Sequence, residues 1–346
     1  MKSILIVSTF IPPYAGGAEQ VVWELAMVLK ERYDVHILTT GSDYNEDIRN
    51  GITIHSIRYQ YPLTFYYLSF GRKYIDKIFK RYNFELINVH IILPWGYLLR
   101  KYPVKMIITQ HGISYSERKG ILNLFGKYRV KKALNHAVAV TAASKHLSEK
   151  MEIDFGIKVH RIPNGIDLKR FYVNTDNEKE NVILYIGRYI ENKGIRYLLE
   201  AAENFPMYEF WFVGKGPLEN IIKGKNIKNY GFSNRPEEFI RKATICIFPS
   251  NYENAPMVGL EAMACGKPVI ATALGFSEFI ENGKDGLIID SKSTEAIING
   301  INFLMSDYGL RKTLGANARI KAEQYSWTSI YEQYANLFEK VINEGN

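Results

Sequence analysis

A chain of 346 residues is longer than one hydrophobic core usually organises, so two domains are expected. With 47% hydrophobic and 23% charged residues and no apolar run of about 18, the composition excludes a disordered, fibrous or helical membrane-spanning chain. The net charge of +8 is unevenly placed: residues 1–165 carry 23 Lys+Arg against 13 Asp+Glu, the remainder 21 against 23, so the basicity belongs to the first half.

The opening, MKSILIVSTFIPPYAGGAE, holds an apolar run of only ILIV before Pro12, Pro13 and a glycine pair. It reads as a buried first strand entering a turn, not as a secretion signal. Further runs rich in Val, Ile and Leu follow: DVHILTT (34–40), ITIHSI (52–57), ELINVH (85–90), KMIITQH (105–111) and AVAVTAAS (137–144). They are too continuous for a sheet with one wet face. Segments of helical period separate them, such as Val21, Val22, Leu25, Ala26 and Leu29. Strands buried on both faces and alternating with helices predict a parallel, doubly wound α/β sheet. Two stretches, RKYIDKIFKR (72–81) and RKGILNLFGKYRVKK (118–132), interleave cations with large apolar residues. Each fits either a solvated helix face or a helix lying on an anionic membrane surface. Nucleic acid is the weaker partner, since no binding module accompanies the charge.

After the polar NTDNEKEN (174–181) the pattern restarts with VILYIGR, EFWFVGKG, IKNYGF, TICIFPS, KPVIAT and GLIID. A linker is expected near 165–180, with turn signals in PNGID (163–167). The last stretch, SWTSIYEQYANLFEKVIN (326–343), predicts an amphipathic helix. Cys246 and Cys265 fall within core elements without metal-ligand spacing, so a reducing cytoplasm is the expected compartment. Ligands of doubly wound sheets bind at the carboxyl ends of the strands, and two such domains facing each other form a cleft for two reactants.

The strand ends carry the chemistry. Gly16 and Gly17 lie between the first strand and its helix. They suit either a tight turn or close backbone approach to a ligand. His111 ends the TQHG strand, whereas His90 and His136 are readily explained as structural histidines. Arg188 follows VILYIG, and Lys193 stands at the entry to the next helix, a pair suited to a diphosphate. Gly214 lies in the VGKGP turn. In SNYENAPMVGLEAMACGKPV (250–269), Glu253 lies in a loop and Glu261 about one turn inside a helix opened near Met257 and Val258. A carboxylate can accept two hydrogen bonds from a vicinal diol such as a ribose, and the first helix amides remain free for phosphate or sugar oxygens. The G-x-G-x-x-G fingerprint of dehydrogenases is absent, as is an Asp-x-Asp at a strand end to carry a divalent ion.

These motifs, in this order over the whole chain, resemble the family-4 retaining glycosyltransferases of the GT-B fold. The signature E-x7-E is Glu253 to Glu261; GGAE, TQHG, IPNGID, GRYIENKG, VGKGP and NYGF match in sequence. The resemblance implies two Rossmann-like domains facing across a cleft: 1–165 plus 328–346 for the acceptor, and 166–327 for the nucleotide-sugar donor. The C-terminal helix would cross back to the first domain. Arg188 and Lys193 would hold the diphosphate, Glu261 the ribose, and Glu253 with the amides of Met257 and Val258 the sugar. His111 would lie near the transferred sugar, Gly16 and Gly17 near the phosphate and acceptor, and the backbone around Phe232 beside the base, near Gly214. The implied reaction moves a hexose-type sugar to a glycan or lipid-linked acceptor, in cell-surface polysaccharide or glycoconjugate synthesis, with no metal or other cofactor. The expected place is the cytoplasm or the inner face of the cell membrane. A nucleotide-sugar epimerase, a glycogen-synthase-like enzyme and a non-catalytic nucleotide-sugar sensor are the rival readings on this plan. Two departures stand out: ENAPM replaces the EGFG or EGLP of many relatives, and Ile92 occupies a position where a second histidine is common.

Overall fold

The computed structural model describes residues 1–12, 17–58, 71–112, 121–174, 176, 179 and 181–344, the side chains of 121–125 excepted. Gly16 and residues 118–120 of the second basic stretch therefore lie outside the described residues. The chain forms two compact units, one of Met1–Gly165 with Trp327–Asn346 and one of Ile166–Ser326.

The first unit is built on eight strands: β1 (Lys2–Val7), β2 (Tyr33–Gly41), β3 (Asn45–Arg49), β4 (Ile52–Arg58), β5 (Phe84–Val89), β6 (Lys105–Gln110), β7 (Ala139–Ala142) and β8 (His160–Arg161). Their order is β3-β4-β2-β1-β5-β6-β7-β8. Every neighbour pair is parallel except the β3–β4 hairpin at the edge. That hairpin turns at Asn50 and Gly51, whose φ of 53° and 80° are those of the tight turn that Asn-Gly favours. The central strands read as apolar runs because helices cover both faces: Leu5, Ile6, Ile37, Leu86, Ile87 and Ile107 have no exposed surface.

The second unit holds β9 (Val182–Ile186), β10 (Glu209–Val213), β11 (Ile227–Asn229), β12 (Ile245–Phe248), β13 (Val269–Thr272) and β14 (Leu287–Ile289). The order is β11-β10-β9-β12-β13-β14, all parallel. From β9 the chain winds one way to β10 and β11 and then the other way from β12, so a topological switch point lies between β9 and β12. Residues 166–173, expected as linker, are packed into this unit. Ile166 and Phe171 are buried in its core, and Arg170 pairs with Glu237 at 2.8 Å.

The C-terminal helix, Trp327–Asn343, belongs to the first unit and lies against the Gly17–Leu29 helix. Its Phe338 ring meets Tyr33 edge-on at 6.3 Å, and Lys105 donates to the Ile342 carbonyl at 2.9 Å. Arg32 pairs with Glu332 and Glu339 at 3.6 and 3.4 Å. The return is tight: Trp327 lies so close to Gly165 that a Cβ there would fall on the indole. Gly165→Ala should therefore overpack this contact and cost about 1–3 kcal/mol. Thermal unfolding would show a lowered midpoint, restored in part by adding Trp327→Leu; an unchanged midpoint in the single variant would refute the contact.

Candidate functional site

The second unit gathers most of the residues singled out by sequence. Arg188 leaves the end of β9 and Lys193 follows one turn later. Ser250 and Glu253 follow β12, so the four flank the switch point. Lys193 Nζ contacts Glu253 Oε1, and both side chains are largely shielded from water. Ser250 Oγ donates to the same carboxylate oxygen at 2.9 Å. Burial in this degree strengthens the pair, because little water screens it, but it also demands that each partner keep the other.

Two glycines bring the Glu253 loop to its place. Gly194 has φ 68°, and a Cβ on it would strike the Pro249 carbonyl. Gly275 has φ 91°, and a Cβ there would collide with the Cβ and backbone of Glu253. Both backbones approach where no other residue fits. Further bonds fasten the loop: Asn192 Nδ2 to the Tyr252 carbonyl at 3.0 Å, the Asn251 amide to the Asn192 carbonyl at 2.8 Å, and Thr272 to the Ser250 carbonyl. Asn254, one of the departures from related sequences, accepts from the Tyr252 hydroxyl. Ser250, Thr272 and Gly275 were not singled out by sequence. The expected signal was a motif, whereas their role is to shape the motif's backbone.

Arg188 differs from Lys193. It is exposed, and among the described residues its guanidinium forms no ion pair or hydrogen bond. Its carbonyl accepts from the Tyr185 hydroxyl at 3.1 Å, which fixes the backbone and leaves the side chain available.

Glu261 sits in the Met257–Ala264 helix, with Leu260, Ala262, Met263 and Ala264 buried around it. Its carboxyl is half-buried, and desolvation pushes its pKa up to about 7, with Arg170 opposing and Glu237 reinforcing the shift. Among the described residues it accepts no side-chain hydrogen bond. Met257 and Val258 open this helix after Pro256, which supplies no side-chain cap, so their amides have no intrahelical partner.

Gly214 follows β10 so closely against β9 that a Cβ would fall on the Gly187 carbonyl. Its amide donates to the Gly231 carbonyl at 2.8 Å, joining it to the turn that carries Phe232. The Phe232 ring is 59% exposed, with Lys215 Nζ 5.0 Å from its centroid. An aromatic ring held open beside a glycine turn is a stacking surface.

The first unit carries the other cluster. His111 directly follows β6 and His90 directly follows β5, with His90 Nδ1 and His111 Nε2 2.8 Å apart. His90 is buried and bonded, as a structural histidine would be, yet its partner is the functional candidate itself. Sequence reasoning could not pair them, because adjacency of strand ends is a property of topology. Gly17 begins its helix exposed, and a Cβ on it would meet nothing within 4 Å.

Comparison with known proteins identifies the family and the fold. Residues 15–170 match the Glycosyltransferase Family 4 model and residues 169–321 the Glycosyl transferases group 1 model. The chain is 27% identical over 344 residues to an uncharacterized glycosyltransferase, MJ1178, of Methanocaldococcus jannaschii, covering 95% of this chain and 96% of that protein. The structure of sucrose-phosphate synthase from Thermosynechococcus elongatus superposes with a TM-score of 0.88 at 22% identity, covering both chains fully. Anabaena Alr3699/HepE in complex with UDP-glucose gives a TM-score of 0.78 at 19% identity, over 98% of this chain and all of that one. With its paired strand-end motifs and two parallel sheets of the GT-B fold, the chain belongs to the group 1, family 4 glycosyltransferases.

Proposed function

We propose that this glycosyltransferase moves a hexose-type sugar, with retention, from a nucleotide-diphospho-sugar to a glycan or lipid-linked acceptor. The observation that carries the reading is the switch point of the second unit. There, one unpaired arginine and one lysine held by Glu253 flank a helix start with free amides. A diphosphate brings about two negative charges, which two side-chain cations and a helix dipole can neutralise without a metal. Among solved relatives, the HepE complex contains UDP-glucose.

In this mechanism Arg188 and Lys193 bind the diphosphate and stabilise it as leaving group. The diphosphate competes with Glu253 for Lys193, and the carboxylate so released accepts hydroxyls of the sugar. Glu261 accepts both ribose hydroxyls, and the base lies by Gly214 and the Phe232 turn. The bond from the anomeric carbon to the leaving phosphate oxygen breaks, and the acceptor oxygen bonds to that carbon on the same face. The acceptor's proton passes to the leaving phosphate oxygen, so no carboxylate need act as base. His111, Gly16 and Gly17 contribute from the first unit. An epimerase or a non-catalytic sensor on this fold would share the donor site. Formation of an epimerised nucleotide-sugar without acceptor would favour the epimerase.

The acceptor reading rests on the basic half. The Ile121–His136 helix buries Val130, Ala133 and Leu134, and presents Lys127, Lys131 and Lys132 outward beside an exposed Tyr128. Such a face suits anionic lipid, at about 1 kcal/mol per cation near the surface. No helix among the described residues is long and apolar enough to cross a membrane.

Three measurements test these assignments. Because Arg188 is exposed and unpaired, Arg188→Ala should leave the melting temperature unchanged while lowering kcat/KM about 10²–10³-fold, assayed in EDTA. Retained turnover would remove Arg188 from the site. For Glu261, ribose hydroxyls donate to the ionised form, so donor binding should expel a proton wherever the free carboxyl is protonated. Affinity for a nucleotide-sugar, whose diphosphate does not titrate in this range, should rise with pH. The slope is up to about tenfold per unit below pH 7, flattening above it. Calorimetry in two buffers would detect the proton, and Glu261→Gln should abolish the slope; a flat wild-type profile refutes the ribose assignment. Finally, the protein should sediment with anionic phospholipid vesicles at low salt. Lys127→Gln, Lys131→Gln and Lys132→Gln together should release it; equal sedimentation by that variant would exclude this face.

A further inference from the structure

The polarity of the histidine pair in the first unit can be read outward from its buried end. The Ile107 carbonyl can only accept, and it faces Asn88 Nδ2 at 3.4 Å; the same nitrogen donates to Thr109 Oγ1 at 2.9 Å. The Asn88 amide is thereby oriented, with Oδ1 turned to His90 Nε2 at 2.7 Å. An amide oxygen cannot donate, so His90 carries its proton on Nε2. A neutral His90 then has a lone pair on Nδ1, which must accept from His111 Nε2–H across the 2.8 Å contact. His111 is left with its lone pair on Nδ1.

We propose that His90 is a positioning residue that locks His111 as a hydrogen-bond acceptor, so that the group His111 receives is a hydroxyl of the transferred sugar and not a carboxylate or phosphate. The identity of that ligand rests on the reading that His111 contacts the sugar; the lock itself does not. Burial supports neutrality throughout. It pushes His111 down to about 4 and His90 well below its ordinary value, the latter also through the neighbouring His111. A neutral acceptor nitrogen would repel an anionic oxygen, whereas a sugar hydroxyl satisfies it. The same polarity makes His111 an orienting group and a weak base, consistent with proton transfer to the leaving phosphate.

The first test is 15N NMR of the full chain labelled at histidine, with His111→Ala assigning the His111 signals. At pH 7.5, His111 should show a single tautomer, protonated on Nε2 and bare on Nδ1. His90→Phe should give averaged shifts from two tautomers. His90→Gln, whose amide can donate to Asn88 while accepting from His111, should restore the wild-type signature. An Nδ1-protonated or charged His111, or an unchanged tautomer in His90→Phe, overturns the lock. A purely structural role for His90 would lower stability without moving these shifts.

The second test uses donors in which each sugar hydroxyl is replaced in turn by hydrogen or fluorine. Fluorine accepts but does not donate. At the hydroxyl read by His111 both replacements should lower kcat/KM equally, about 10–100-fold, and the loss should shrink below about threefold in His90→Phe. If fluorine is tolerated at every position while the NMR lock holds, the sugar-hydroxyl assignment is overturned and the fault lies with the contact, not the tautomer.

Discussion

Around β9 the polypeptide winds away in two directions, and everything proposed for the donor depends on that reversal. Crossover loops from β9 and β12 leave toward opposite sides, so the two strand ends stand side by side at the switch point. A lysine arriving after β9 and a glutamate arriving after β12 can meet only there. The glycines Gly194 and Gly275 tighten the arrangement, since both close approaches exclude a side chain. The result is a loop whose carboxylate position is set by backbone contacts and by the Lys193 and Ser250 side chains. Preorganisation of this kind lets binding energy act on the ligand and not on ordering the protein.

The site divides its two cations by environment. Lys193 is shielded and already paired, so its charge is neutralised until a better anion arrives; Arg188 is hydrated and open. An isolated exposed charge costs little to keep, whereas a buried unpaired one costs several kcal/mol, about 3–5 when its partner is removed. Under the proposed mechanism Glu253 therefore both shields the Lys193 charge and receives the sugar. Glu261 is the opposite case. It is a carboxyl raised toward neutrality by burial, with Arg170 only partly opposing and no side-chain donor bonded to it among the described residues, an arrangement that makes sense if donors arrive with the ligand.

Much of this was legible in the sequence, for a physical reason. Strand-end motifs are local, and the residues that touch ligands at a switch point must stand within a few positions of a strand. The candidates Arg188, Lys193, Glu253 and Gly214 stand out in this way, and Glu261 by its place in the helix that follows the Glu253 loop. The misses are of two kinds. Some were local signals passed over: Asn50-Gly51 is a strong hairpin marker, and it makes β3 an antiparallel edge. The stretch after residue 165 read as linker because it is polar in part, yet Phe171 and Ile166 pack into the core. Others could not be seen without topology. Ser250, Thr272 and Gly275 act on Glu253 from different segments, and His90 meets His111 only because β5 and β6 are neighbours.

The histidine pair also continues inward. Asn88 bonds Thr109, Thr109 bonds Thr141, and the Tyr334 hydroxyl on the C-terminal helix is hydrogen-bonded to both threonines. Five of these six side chains are almost wholly buried, in a sheet otherwise packed with Ile, Val and Leu, and each of the five is hydrogen-bonded within the row. Such a row is expensive: each group gives up water for a few fixed protein partners, and any vacancy costs about 1–3 kcal/mol. Valine and isoleucine would fill these positions with less risk. What apolar residues cannot supply is direction, since each member of a bonded row dictates whether the next donates or accepts. The helix that returns to the first unit thus closes the buried end of the same row whose other end is His111.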